Sequence, residues 1–297
     1  MYKKFDPEIA ARKARNAEIF KETCEAIRSG EYESPSGRRI TLPSMQPMID
    51  GAECWHSEQP ATDAPVVDGG TMIMVEENDC IEAARRLAGE GYHPAILNFA
   101  SAGHPGGGVE TGARAQEETI CRRSTLSRSI YSFDSHYAKR YGYTHVEGNN
   151  YPLSNLDFSV IYSPDVTFFR EGKDCTFMEE PFQSAVITCA ALNLKGRYEL
   201  KLTEDGHMPD KAKEITANKA RAIFRLGLRH GIDALVLGAF GCGAFRNPPE
   251  EIATIFRDVL AEDEFKDRFR LVTFSIIEDH NSGGANLAAF RKVFEGR

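Results

Sequence analysis

The residues best suited to chemistry lie between His104 and Glu118, in the run HPGGGVETGARAQEE. Three consecutive glycines, Gly106, Gly107 and Gly108, permit backbone conformations that a Cβ forbids and let a ligand approach the main chain closely. Gln116, Glu117 and Glu118 then open a polar helix start. An anion-holding loop beside a carboxylic acid suggests hydrolysis of a phosphate-bearing sugar. Backbone N–H groups ahead of a helix can hold a diphosphate. The loop is not a P-loop, because no Gly-Lys-Ser/Thr follows, and it lacks the G-x-G-x-x-G order of dinucleotide oxidoreductases. Plainer readings exist: a triple glycine also suits a mobile turn, and the helix macrodipole alone favours acidic residues in a solvated first turn. Adjacent helix positions point about 100° apart. Glu117 and Glu118 therefore cannot flank a bond as the facing carboxylates of most glycosidases do. One is expected to work on the bond while the other orients ribose hydroxyls.

A second glycine-rich run, GAFGCGAFRNPP, spans 238–249. Small residues let the main chain wrap a phosphate, and an aromatic ring can stack on a base or pack against a ribose. The alternative is a tight strand-to-helix turn with core aromatics. Cys242 has no histidine motif to activate it and reads as a small filler rather than a nucleophile. Asn98 either bonds a ribose or merely ends its strand. Arg114, Arg122, Arg123 and Arg128 could meet phosphates, although solvated helix positions are the expectation for most of them. The eight histidines show no metal-ligand spacing, so no metal and no cofactor is expected.

These residues must be positioned by a scaffold. Residues 7–29 read as an amphipathic helix with Gly30 as its C-cap. Residues 31–42 read as a hairpin turning at Ser-Pro-Ser-Gly. Residues 43–69, polar and irregular, are expected to form a long surface loop carrying Trp55. Then strands at 71–75, 96–100, 160–162, 166–169, 183–188, 234–237 and 270–277 alternate with helices at 79–90, 115–129, 211–231, 249–260 and 285–294. Alternation with short, fully apolar strands implies a three-layer α/β/α sandwich around a central sheet. In such sheets ligands bind beyond the carboxyl ends of strands. Both glycine-rich runs follow strands there, so a single cleft is expected.

Composition bounds the rest. The chain has 297 residues, 41% hydrophobic and 27% charged, which is enough for a large core and argues against wholesale disorder. A net charge of −8 disfavours broad attraction to nucleic acid or to acidic membranes. Seven scattered cysteines without a CxxC pair fit reduced thiols in the cytoplasm better than a disulfide framework. The charged first 20 residues do not read as a signal peptide.

The ordered combination is specific. GGG, seven residues, then QEE, with NFAS before it, YSPDVTFFR and AVITCAALN between, and LVLGAFGCGAFRNPP after a helix, resembles the poly(ADP-ribose) glycohydrolase family in its bacterial and fungal-type branch. The resemblance runs over residues 5–295. It implies a macrodomain fold with a mixed central sheet, as a single catalytic domain over 1–297. Residues 1–70 would be an N-terminal extension and 71–297 the α/β core. It implies that Glu118 is catalytic and that Glu117 holds ribose hydroxyls. Gly106, Gly107 and Gly108 would line the catalytic side with Gln116. Gly241, Gly243 and Ala244, with Cys242 among them, would form the diphosphate loop. Phe245 would shape the ribose site, and Asn98 would lie near the scissile ribose. His104 and Glu110 depart from the pattern, since asparagine is more usual at the first and a neutral residue at the second.

The expected activity is hydrolysis of ribose–ribose O-glycosidic bonds, releasing ADP-ribose from its polymer. The alternatives are a mono-ADP-ribosyl hydrolase acting on modified side chains or nucleotides, and a non-catalytic ADP-ribose reader. A reader has no need of the Gln-Glu-Glu triplet. A monomer acting on ADP-ribose polymer or ADP-ribosylated protein is expected, with no direct nucleic-acid or membrane partner.

Overall fold

The computed structural model of this chain describes residues 6–55, 64–146, 151–154, 159–195, 200–278 and 284–296. In chain order its elements are α1 (Pro7–Ser29), β1 (Glu31–Glu33), β2 (Arg39–Thr41), α2 (Gln46–Gly51), β3 (Glu53–Trp55), β4 (Met72–Glu76), α3 (Cys80–Gly89) and β5 (Pro94–Phe99). There follow α4 (Gln116–Arg123), α5 (Leu126–Ile130), α6 (Ser135–Tyr141), β6 (Val160–Glu171), β7 (Thr176–Cys189), α7 (Asp210–Arg229), β8 (Ala234–Leu237), α8 (Pro249–Leu260), β9 (Leu271–Ser275) and α9 (Asn286–Glu295). The chain forms two compact units.

One unit comprises Glu53–Ala102, Pro152–Tyr162 and Ser184–Arg297. It is built on a seven-stranded mixed sheet in the order β3-β6-β7-β5-β8-β9-β4. Neighbours from β7 through β4 run parallel, with Ala95 opposite both Ala185 and Leu235, and Val75 opposite Phe274. The edge strand β3 is antiparallel to β6, Glu53 facing Tyr162. All four residues of β8 and all five of β9 are buried, as central parallel strands covered on both faces require. Helices α3, α7, α8 and α9 flank this sheet, which fits the expected α/β/α sandwich. Its core carries Phe224 edge-to-face with Phe256, Phe265 and Phe269, and Phe240 edge-to-face with Phe99 and Phe256. Such pairs add about 0.5–1.5 kcal/mol each beyond area burial.

The other unit comprises Met1–Ala52, Gly103–Tyr151 and Ser163–Gln183. Helix α1 begins where Asp6 accepts hydrogen bonds from the Glu8 and Ile9 amides, and it ends at Gly30 in the left-handed region. It packs along α4, where the Thr23 hydroxyl donates to the Arg122 carbonyl at 2.7 Å. A satellite core stacks Tyr32 on Phe177 at 4.9 Å, with Phe169 beside them.

Four expectations are corrected. Within 43–69 the chain forms α2 and β3 instead of only a loop; Met48 is fully buried and β3 pairs with β6 (residues 56–63 lie outside the described set). The helix expected over 115–129 breaks into α4 and α5. Ser124 swings to an extended φ of −150° and bridges Phe168, while the Thr125 amide donates to the Thr167 carbonyl at 3.0 Å. A strand edge thus outcompetes helix propensity. The expected strands at 160–162 and 166–169 are one continuous strand. Asp165 adopts a positive φ of 48°, which lets β6 run past Pro164, and its carbonyl accepts from Nε2 of the Gln183 side chain. Arg122 and Arg123 are 3% and 1% exposed instead of solvated, and Arg123 Nε donates to the Arg170 carbonyl.

Candidate active site

The triple glycine is moulded around the two glutamates. Gly106 and Gly107 both have positive φ, 77° and 57°, where a side chain is strained. The Gly106 amide donates to Glu117 Oε1 at 3.1 Å, and the Gly108 amide donates to Glu118 Oε1 at 2.8 Å. Glu117 and Glu118 are adjacent on α4 and so diverge. The loop curls across the start of the helix, and both carboxylates meet alternate backbone amides. A Cβ on Gly107 would lie 2.4 Å from Glu118 Oε1 and 3.0 Å from Glu117 Oε2, so a side chain there would have to push the carboxylates aside. The glutamates are 2% and 7% exposed, which excludes the solvated first turn. Buried carboxylates are costly unless hydrogen-bonded, and the loop amides and the N-terminal end of α4 supply that compensation. Glu118 Oε2 is buried and has no hydrogen-bond partner. An orphaned buried oxygen calls for an explanation, and a catalytic role is one. Gln116 is the first residue of α4, half-buried beside them.

Several residues hold this arrangement in ways that the sequence does not announce. Gly112 closes the loop at φ 76°, and a Cβ there would fall 1.9 Å from the Lys13 carbonyl of α1. Asn16 of α1 donates to the Gly112 carbonyl at 3.2 Å. Arg122 Nη1 reaches the Ala113 carbonyl, so this buried guanidinium braces the loop instead of facing phosphate. Tyr131 packs at 4.8 Å from both Tyr137 and Tyr141, and its hydroxyl lies 3.2 Å from where a Gly106 Cβ would be. That hydroxyl is buried without a partner, and burial pushes its pKa far above the ordinary tyrosine range. Glu110, the charge that departs from the family pattern, is paired: Arg140 donates to it at 2.8 Å and the Tyr141 hydroxyl donates to its other oxygen. Burial, reinforced by that bond, raises the Tyr141 pKa and keeps its proton in place.

In the other unit, Asn98 is the penultimate residue of β5, fully buried opposite Thr188. Its amide nitrogen donates to the Thr188 hydroxyl at 3.3 Å, and its Oδ1 is buried without a partner. The run after β8 folds back on itself, the Cys242 amide donating to the Ala239 carbonyl and the Arg246 amide to the Gly243 carbonyl, while the Leu194 amide, from the stretch after β7, donates to the Phe245 carbonyl. Gly238 is forced by crowding, since a Cβ would lie 2.9 Å from the Ser275 carbonyl. Cys242 turns its thiol inward to the core, and burial raises its pKa, which fits a small filler rather than a nucleophile. Ala244 is exposed, and Phe245 is half-buried against the core.

A family model describing the catalytic domain of microbial-type poly(ADP-ribose) glycohydrolases matches residues 20–171. The chain belongs to this family. The poly(ADP-ribose) glycohydrolase of Thermomonospora curvata is 32% identical to it, covering 94% of this chain and 99% of that one at a TM-score of 0.78. The same enzyme bound to the inhibitor ADP-HPD aligns over the same shares at 32% identity and a TM-score of 0.75. The poly(ADP-ribose) glycohydrolase of Deinococcus radiodurans in complex with ADP-ribose is 30% identical, covering 86% of this chain and 99% of that one at a TM-score of 0.68. Among curated proteins no sequence matches. The macrodomain-type fold is thus shared with these enzymes, and the chain is a glycohydrolase of this family. Among the described residues, no helix is long and apolar enough to cross a membrane.

Proposed function

We propose that this enzyme releases ADP-ribose from poly(ADP-ribose) with Glu118 as a single acid and base. The observation that carries this reading is the asymmetry of the Glu118 carboxyl group. Oε1 is engaged by the Gly108 amide, whereas Oε2 is buried and unpartnered. In this reading Oε2 is the oxygen that carries the proton to be donated, because the Gly108 amide occupies Oε1. Oε2 protonates the leaving ribose oxygen as the C1–O bond breaks and positive charge develops at C1. The resulting carboxylate then takes a proton from the attacking water, which restores the acid. Glu117, held by the Gly106 amide, orients ribose hydroxyls. The Gly241, Gly243, Ala244 and Phe245 stretch takes the diphosphate and the adjoining ribose, with Cys242 contributing backbone only. Asn98 offers its unpartnered Oδ1 to a ribose hydroxyl.

The bound ADP-ribose of the Deinococcus enzyme and the inhibitor of the Thermomonospora enzyme support ADP-ribose polymer as the substrate class. The acidic balance and the scattered cysteines support a monomer acting in a reducing, cytosol-like compartment.

Glu118→Gln keeps an acceptor for the Gly108 amide but carries no ionisable proton. It should lower turnover of labelled polymer by about 10²–10⁴-fold while retaining ADP-ribose binding by calorimetry. Wild-type turnover in that variant would refute the assignment. Comparison with mono-ADP-ribosylated arginine, serine and aspartate peptides tests the polymer preference in the same assay.

A further inference from the structure

We infer that Asn247 is a positioning residue whose side-chain amide holds the diphosphate loop in its binding conformation, so that ADP-ribose affinity depends on it. The inference rests on the reading of Gly241–Phe245 as that loop.

Asn247 is 2% exposed, although it sits in a connection between a strand and a helix. Its Nδ2 donates to the Leu192 carbonyl at 2.8 Å and to the Gly241 carbonyl at 3.0 Å, and its backbone amide donates to Gly241 at 3.1 Å. Leu192 belongs to the stretch that follows β7. One side chain therefore ties two separate loops together, and the Leu194 amide bonded to the Phe245 carbonyl at 3.0 Å runs alongside. Both side-chain partners are carbonyls, so only the amide nitrogen can face them, and the orientation of the group is fixed by chemistry.

Gly241 is shaped for this tie. Its φ is +76°, and a Cβ would fall 2.5 Å from Asn247 Nδ2 and 2.7 Å from Ala191 Cβ. The next two residues offer no substitute donor, because Pro248 and Pro249 lack N–H groups. Arg246, just before, is held at a positive φ of 60°, a conformation that needs support from its surroundings. A backbone that presents N–H groups to an anion works only if it is preorganised. Without the tie, that ordering would have to occur on binding.

The test is calorimetric titration of ADP-ribose into the 297-residue chain and its variants, with kcat and KM on poly(ADP-ribose). Asn247→Ala should weaken binding by about 10- to 100-fold, the effect of two buried hydrogen bonds, and raise KM in step. Its kcat should stay within about threefold, because uniform binding is what is lost. Asn247→Ser, which can donate one bond, should fall between wild type and Ala. Asn247→Asp has nearly the same size but turns oxygens toward two carbonyls, and it should bind no better than Ala. Wild-type affinity in the Asp or the Ala variant would overturn the inference.

Ala244→Asp, which places a carboxylate on the exposed loop residue, separates the two levels. If it abolishes binding while the Asn247 variants bind normally, the loop reading stands and the tie is refuted. If it leaves binding intact, the loop does not hold the diphosphate, and both fall.

Discussion

At Gly107 the neighbours that exclude a Cβ are two carboxylates; at Gly241 they are an amide and a methyl group. Both glycines have positive φ and both sit in runs that the sequence marks as ligand loops. Their anchors nevertheless differ in kind. The loop at 106–108 is fastened by Glu117 and Glu118, the residues assigned to the chemistry, so scaffold and reactive group are one. The loop at 238–247 is fastened by Asn247, whose side chain is spent on two main-chain carbonyls. A substitution in the first region should therefore disturb rate and architecture together, whereas in the second, affinity and rate should come apart.

The sharpest way to break this contrast is Gly107→Ala. A methyl group 2.4 Å from Glu118 Oε1, at a φ of 57°, must displace the carboxylate or the loop. Turnover should fall by about 10²-fold or more, since an ångström-scale misplacement of a reacting group has that effect. Denaturant unfolding should show about 1–3 kcal/mol of lost stability from the strained backbone. Near-normal turnover would mean that the glutamates are not held by the loop. Gly241→Ala should act more mildly, weakening ADP-ribose binding by about tenfold with kcat nearly unchanged. A collapse of kcat instead would erase the distinction between the regions. The smallest effect is expected at Tyr131→Phe. Its hydroxyl is buried without a partner, so its removal should leave stability unchanged or raise it by up to about 1 kcal/mol in urea melts. A loss of that size would show that the hydroxyl is bonded in solution.

Local signals were legible where local forces decide. The helix expected at 249–260 is α8, because two prolines mark its start and its apolar spacing is regular. Gly30 and the Ser-Pro-Ser-Gly turn likewise delimit α1 and the β1–β2 hairpin. The reading failed where a distant partner decides. Ser124 leaves its helix to pair with β6, and Glu53–Trp55 becomes a strand because β6 offers an edge. Helix α6 has a local signal that its short apolar pattern hides: Asp134 caps the His136 and Tyr137 amides, and Gly142 ends the helix in the left-handed region. In the site, residue types and order pointed to Glu117, Glu118 and the three glycines. Nothing in a single sequence announces that Asn16, Arg122 and Tyr131 crowd the same loop. Those contacts join residues 9, 25 and 96 positions apart, and such spacings leave no periodic trace.

The Lys13 carbonyl lies where any side chain at Gly112 would have to be. The stretch matched by the family model begins at residue 20, downstream of both Lys13 and Asn16. A shortened protein designed on that boundary would keep every glutamate and glycine of the signature yet lose the ledge on which the loop rests. Its carboxylates would then lack a fixed aim, and a chemically intact site would run slowly.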